Sequence, residues 1–160
     1  MQVKNKRPLD ISKITEQLYI SERPSKDDIP ILKDLGIKLI ISMTWQWPDS
    51  ELRQPPFTLV RATAVDSPLT PIPMKVFIKG TDAAIPVIKN GDKVLVHCIQ
   101  GVHRSVAMAA CILIRLGYSA REATELIKSQ RSLADPDVEY INKRIKKFEA
   151  LYLSGELGNT

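Results

Sequence analysis

Lys93-Val94-Leu95-Val96-His97-Cys98-Ile99-Gln100-Gly101-Val102-His103-Arg104-Ser105 combines three local signals in one short stretch. Val94 to Val96 is an apolar run of strand length introduced by the turn residues Asn90-Gly91-Asp92, so Lys93–His97 reads as a buried strand. Cys98 ends it. After the loop 98–104, a nine-residue apolar run, Val106 to Ile114, stops at Arg115, which predicts a buried helix from about Ser105 to Leu116 closed by Gly117. A strand that passes through a short loop straight into a helix belongs to an α/β fold.

Working outward, the same alternation recurs upstream. A short strand at Leu18–Ile20 precedes a helix from Asp28 to Leu35, with Asp27 as N-cap, Pro30 in its first turn and Gly36 at its C-terminal cap. Ile37–Met43 is a β-branched apolar run suited to a strand covered on both faces. A polar loop, Thr44 to Pro56, leads to a second extended stretch, Phe57 to Val65, which ends at Asp66. Pro68, Pro71 and Pro73 keep the next segment non-helical, and Met74–Ile88 reads as a helix kinked or broken at Gly80 and Pro86. Downstream, Ser119 and Glu122 have capping-box spacing for a helix to about Gln130. Asp135 as N-cap and Pro136 at the first helical position open a last helix with an apolar stripe of Val138, Ile141, Ile145, Phe148 and Tyr152. The expected architecture is α/β, a single domain over residues 1–160 with a central, mostly parallel sheet flanked by helices.

Composition bounds the function classes. The 160 residues are 44% apolar and 26% charged, the profile of one soluble core, and no repeat or low-complexity segment is present. The apolar run at 106–114 is less than half of what crosses a bilayer, so no membrane partner is expected. The first residues, MQVKNKRPLD, lack the apolar stretch of a secretory signal, and two cysteines cannot build a disulfide framework, which together point to a reducing, cytoplasmic setting. A net charge of +5 favours anionic partners without choosing among them.

The chemistry lies in the loop. A cysteine at a strand end, five loop residues and an arginine at a helix start let the backbone amides converge beside the sulfur, a geometry suited to phosphate. The helix dipole and Arg104 should populate the Cys98 thiolate at neutral pH. Arg104 can hold two phosphoryl oxygens in a fork that lysine cannot copy. Gly101 supplies a positive φ or a close backbone approach, Ser105 can donate to the sulfur as it leaves, and His97 orients the loop.

These residues resemble the signature of the cysteine-based protein tyrosine phosphatases: His-Cys, five residues, Arg, then Ser or Thr, with glycine three positions after the cysteine. The short chain, a cysteine three-fifths of the way along, and Gln130-Arg131-Ser132-Leu133-Ala134-Asp135-Pro136 before a final helix look like the small dual-specificity branch, over roughly residues 15–153. The resemblance implies a tyrosine-phosphatase-like fold and hydrolysis of phosphotyrosine, with phosphoserine and phosphothreonine as further substrates on phosphorylated proteins or peptides. It implies Cys98 as nucleophile, Arg104 and Ser105 as catalytic partners, and Ile99, Gln100, Gly101, Val102, His103 and Arg104 as the phosphate-binding loop. No metal or cofactor is expected, because Arg104 and the amides supply the positive charge that magnesium provides elsewhere. The general acid is an aspartate on a loop, spelled Trp-Pro-Asp in the tyrosine-specific branch, and Trp47-Pro48-Asp49 reads that way literally. Asp49, however, lies 49 residues before Cys98, whereas Asp66 lies 32 residues before it at the end of the strand preceding the next helix. The dual-specificity spacing selects Asp66 as acid and base.

Other readings stay in view. An RNA 5′-phosphatase gains some support from the basic pI of about 9.2, although no nucleic-acid partner is expected. A non-catalytic phosphate-binding module or a sulfurtransferase would need the acid to be missing. His97, Cys98, His103 and Cys111 lack the paired spacing of a zinc site. Cys111 should be core, His103 a solvent-facing loop residue, Trp45 and Trp47 core packing, and Lys143, Arg144, Lys146 and Lys147 a solvated helix face. Positions 99, 100, 102 and 103 carry no lysine, which argues against a highly charged inositol head group; Gln100 and Asp137 also depart from the family pattern.

Overall fold

The computed structural model describes residues 7–157; residues 1–6 of the N-terminal stretch considered above for a signal lie outside the described residues. Five strands, β1 (Ile11–Thr15), β2 (Leu18–Ser21), β3 (Ile37–Ser42), β4 (Thr58–Arg61) and β5 (Lys93–His97), form one sheet in the order β1-β2-β5-β3-β4. Only the β1–β2 pair is antiparallel. Five helices complete the α/β domain: α1 (Ile29–Leu35), α2 (Met74–Lys89), α3 (Arg104–Arg115), α4 (Ala120–Gln130) and α5 (Glu139–Leu153).

The side-chain alternation of a strand divides the core between the two faces of the sheet. Leu39, Ile41, Val94 and Val96 join the larger cluster with α2, α3 and α5, while Ile37, Ile40 and Leu95 face Leu32 of α1 and Phe57. β5 is therefore apolar throughout its centre because both faces are covered and both edges are paired. Its register aligns His97 with Ser21 of β2 and Ser42 of β3, so Cys98 emerges at the carboxyl edge of the middle strand. Crevices outside the carboxyl ends of parallel strands are where such sheets bind ligands. α3 runs back behind the sheet with Ser105–Ile114 entirely buried.

Several sequence expectations are corrected. β1 was not expected; it is a short edge strand with mixed burial, carrying no alternating apolar signal. Ser25, not Asp27, caps the chain entering α1, through a capping box on the 3-10 turn Lys26–Asp28. α2 is continuous through Gly80 and Pro86: a Cβ at position 80 would collide with the Met108 side chain, so the glycine admits a close α2–α3 approach, and Pro86 sits exposed in the last turn. The extended stretch after Phe57 pairs as a strand only over Thr58–Arg61. α5 begins at Glu139 rather than Pro136: the Asp135 carboxylate faces His103 Nε2 at 3.6 Å and its amide donates to the Val102 carbonyl at 3.0 Å, so residue 135 is engaged with the loop after β5 instead of capping a helix. Trp45 and Trp47 are 67% and 59% exposed rather than packed in the core, and the Arg61 guanidinium lies 4.0 Å over the Trp47 ring.

Candidate active site

Cys98 follows β5 and is buried, with its Sγ 3.2 Å from the Ser105 hydroxyl and 3.2 Å from the Gly101 amide that donates to it. Burial pushes the thiol up, but hydrogen bonds from the Ser105 hydroxyl and amide and the Gly101 amide, with the Arg104 charge, outweigh it and bring the Cys98 pKa below its ordinary value. Cys111, wholly buried in α3, has no such donors, and burial holds its thiol well above the ordinary value. The chain thus contains one thiol prepared to ionise and one kept inert.

The loop around the sulfur is held from several sides. Gly101 has φ +70°, and a Cβ there would fall 2.8 Å from the Ser21 carbonyl oxygen and 2.7 Å from Arg131 Nη2, so both the conformation and the space require glycine. Arg131, almost fully buried, donates from Nε to the Gly101 carbonyl at 2.8 Å and from Nη2 to the Gln100 carbonyl at 3.0 Å. Its other contacts are with the Asp10 carboxylate at 2.9 and 3.1 Å and the Ser12 hydroxyl at 3.0 Å. Sequence reasoning counted Arg131 only as part of a family-like ending; its partners at positions 10, 12, 100 and 101 come together only through the pairing of β1 with β2. His97 is buried and donates from Nδ1 to the Cys98 carbonyl at 3.1 Å. Burial, with smaller contributions from nearby arginines, lowers its pKa to about 4, so it is neutral at physiological pH.

Arg104 opens α3 with its guanidinium folded under the loop, donating from Nη1 to the carbonyls of Met43 at 3.2 Å and Ala64 at 2.8 Å. These anchors tie the arginine to the end of β3 and to the segment leading to Asp66. Its buried Nε has no partner among the described residues. Asp66, Cys98, Ile99, Gln100, Val102, His103 and Arg104 line one pocket of about 280 Å³. A larger groove of about 600 Å³ beside it is lined by Pro68, Pro71, Val138, Glu139, Tyr140, Lys143 and Arg144 and holds no cysteine.

His103 is not a free, solvent-facing residue: its side chain is 24% exposed, with Nδ1 3.0 Å from Asp66 Oδ2 and Nε2 3.6 Å from Asp135. Tyr140 of α5, which sequence reasoning did not single out, donates its hydroxyl to Asp66 Oδ1 at 2.5 Å. Asp49 lies elsewhere, accepting from the Lys26 amide at 2.8 Å, and does not line the pocket. The Trp47-Pro48-Asp49 loop is fastened by Arg23, which bonds Gln46 and the Trp47 carbonyl, while the Arg23 amide donates to the Ile99 carbonyl. Asp137, at the other position noted as a departure, pairs with Lys128 at 2.6 Å.

A cysteine with a lowered pKa at the carboxyl edge of a parallel sheet, an arginine at the start of the following helix and a carboxylate over the same pocket define a site able to receive a phosphoryl group. The family model for the dual specificity phosphatase catalytic domain matches residues 18–149, and the chain belongs to that family, in its small dual-specificity branch. Mouse dual specificity phosphatase 28 is 26% identical over 144 residues, covering 89% of this chain and 85% of that protein. The tyrosine-protein phosphatase yvh1 of Schizosaccharomyces pombe is also 26% identical over 144 residues, but the chain spans only 43% of its length. Among solved structures, the human tyrosine phosphatase-like serine/threonine/tyrosine-interacting protein superposes with a TM-score of 0.77 at 23% identity, covering 90% of this chain and 98% of that one.

Proposed function

We propose that the chain hydrolyses phosphate monoesters on phosphorylated proteins, phosphotyrosine foremost, through a phosphocysteine on Cys98. The observation that carries this reading is the Cys98 sulfur, set 3.2 Å from both the Gly101 amide and the Ser105 hydroxyl in a pocket shared with Arg104 and Asp66. In the first displacement the Cys98 thiolate attacks phosphorus in line, the ester P–O bond breaks, and protonated Asp66 gives its proton to the departing oxygen. The loop amides and Arg104 hold the phosphoryl oxygens as charge spreads over them. In the second, water attacks phosphorus and gives a proton to the Asp66 carboxylate, the S–P bond breaks, and the thiolate leaves with the Ser105 hydroxyl donating to it. The products are inorganic phosphate and the original thiolate. A reducing compartment suits this chemistry, since both cysteines are free thiols and Cys98 must stay one.

The test is hydrolysis of para-nitrophenyl phosphate in the presence of EDTA by wild type and Cys98→Ser. Turnover that persists under EDTA and is abolished by the substitution supports the reading; wild-type protein without turnover, or a Cys98→Ser variant that retains it, overturns it.

A further inference from the structure

Asp66 lies between β4 and α2 on a segment with no helix or named strand, only an isolated bridge between Ser67 and Thr70 and three prolines. An acid carried on such a segment transfers its proton efficiently only if something rigid fixes the carboxyl, because small misplacements of a reacting group are costly. Two side chains from elsewhere in the fold grip it, one on each oxygen. Tyr140, in the first turn of α5, donates to Oδ1 at 2.5 Å, and His103, on the phosphate-binding loop, meets Oδ2 through Nδ1 at 3.0 Å. The two rings also pack edge to face, with centroids 5.7 Å apart, and the Tyr140 hydroxyl is 3.2 Å from the same His103 nitrogen.

We propose that Tyr140 is a positioning residue for proton transfer: its hydroxyl, braced by the His103 ring, holds the Asp66 carboxyl over the pocket that contains Cys98. This rests on the reading of Asp66 as general acid given above. The brace is continuous with the loop, since His103 Nε2 faces Asp135 at 3.6 Å and the Asp135 amide donates to the Val102 carbonyl at 3.0 Å. It is also continuous with the acid segment, because Tyr140 lines the adjoining groove with Pro68 and Pro71. Burial and the Asp66 carboxylate push the Tyr140 pKa up to about 12, so the phenol keeps its proton. A phenol can donate to a carboxylate oxygen and equally to the carbonyl oxygen of a carboxylic acid, so the contact survives the proton transfer it supports.

The experiment compares two aryl phosphates. Phenyl phosphate has a leaving group that needs a proton, and dinitrophenyl phosphate has one that does not. Tyr140→Phe keeps the ring and removes one oxygen. It should lower kcat/KM for phenyl phosphate, which reports the first displacement alone, about tenfold, the effect of one lost hydrogen bond to a charged group. For dinitrophenyl phosphate kcat/KM should stay within about twofold, because its leaving group needs no proton in that displacement. The ratio of the two rates does not depend on the fraction of protein that is folded, so a fold defect cannot imitate the result. In an Asp66→Asn background, Tyr140→Phe should add nothing, because the group it positions is gone. An unchanged ratio in Tyr140→Phe overturns the proposal while leaving Asp66 as the acid. If Asp66→Asn itself leaves the ratio unchanged, the assignment of the acid fails and the proposal with it.

Discussion

Arg131→Lys tests how the loop keeps its shape. The guanidinium makes five hydrogen bonds from three nitrogens: to the carbonyls of Gln100 and Gly101, both oxygens of Asp10, and the Ser12 hydroxyl. Lysine keeps the charge but has one nitrogen with three protons, so it leaves at least two of these acceptors without a donor. A bond to a charged group contributes roughly 1.5–3 kcal/mol, which puts the loss of two at about 3–6 kcal/mol. The solvent that reaches Asp10, one-third exposed, favours the lower end. In urea unfolding at neutral pH the midpoint should fall with an unchanged m-value. Lysine cannot hold the Gln100 and Gly101 carbonyls together with Asp10 and Ser12, and these carbonyls flank the amide that donates to Cys98, so kcat/KM for para-nitrophenyl phosphate should fall at least about tenfold under conditions where the variant is fully folded. A variant with wild-type stability, or one that is destabilised yet fully active when folded, would refute the claim that this buried arginine shapes the phosphate-binding loop.

Two further outcomes follow from the site. With phenyl phosphate, Asp66→Asn should lower kcat about 10²-fold or more and Asp49→Asn should leave it within about twofold, because only Asp66 lines the pocket; steady-state kinetics of both variants checks this. His97, with its folded pKa lowered to about 4, binds a proton more readily in the unfolded chain, so its contribution to stability is fully present above pH 6.5 and is lost as pH falls from there toward about 4. Between pH 7.5 and 5 this amounts to about 2 kcal/mol, and urea unfolding at the two pH values should show a smaller difference for His97→Gln than for wild type.

What could be seen in the sequence was whatever local physics decides. β5, the cysteine loop and α3 are legible because a strand covered on both faces and a buried helix are both apolar runs, and because the loop residues have fixed spacing. The placement of Asp66 rather than Asp49 beside the loop follows from chain order, since the segment after β4 returns to the carboxyl edge of the sheet. Residues whose partners are remote in sequence were not legible. Arg131 reaches back to Asp10 and Ser12 at the start of β1, more than a hundred residues earlier in the chain, and Tyr140 meets Asp66 from a helix that looks merely amphipathic. The start of α5 was misplaced for the same reason: Asp135 and Pro136 carry good capping signals, but the Asp135 amide and carboxylate are engaged with the loop. Trp45 and Trp47 suggest core packing by composition, yet Trp47 is held at the surface by the guanidinium groups of Arg53 and Arg61.

The most direct test of the covalent mechanism uses Ser105→Ala, which removes the hydroxyl 3.2 Å from the Cys98 sulfur and should slow departure of the thiolate more than its attack. Rapid mixing with para-nitrophenyl phosphate should give a burst of nitrophenol equal to the enzyme present, and denaturation during the burst should leave one phosphoryl group, mapped by mass spectrometry to Cys98. A phosphoryl group on another residue, or steady turnover with neither burst nor adduct, would contradict the account.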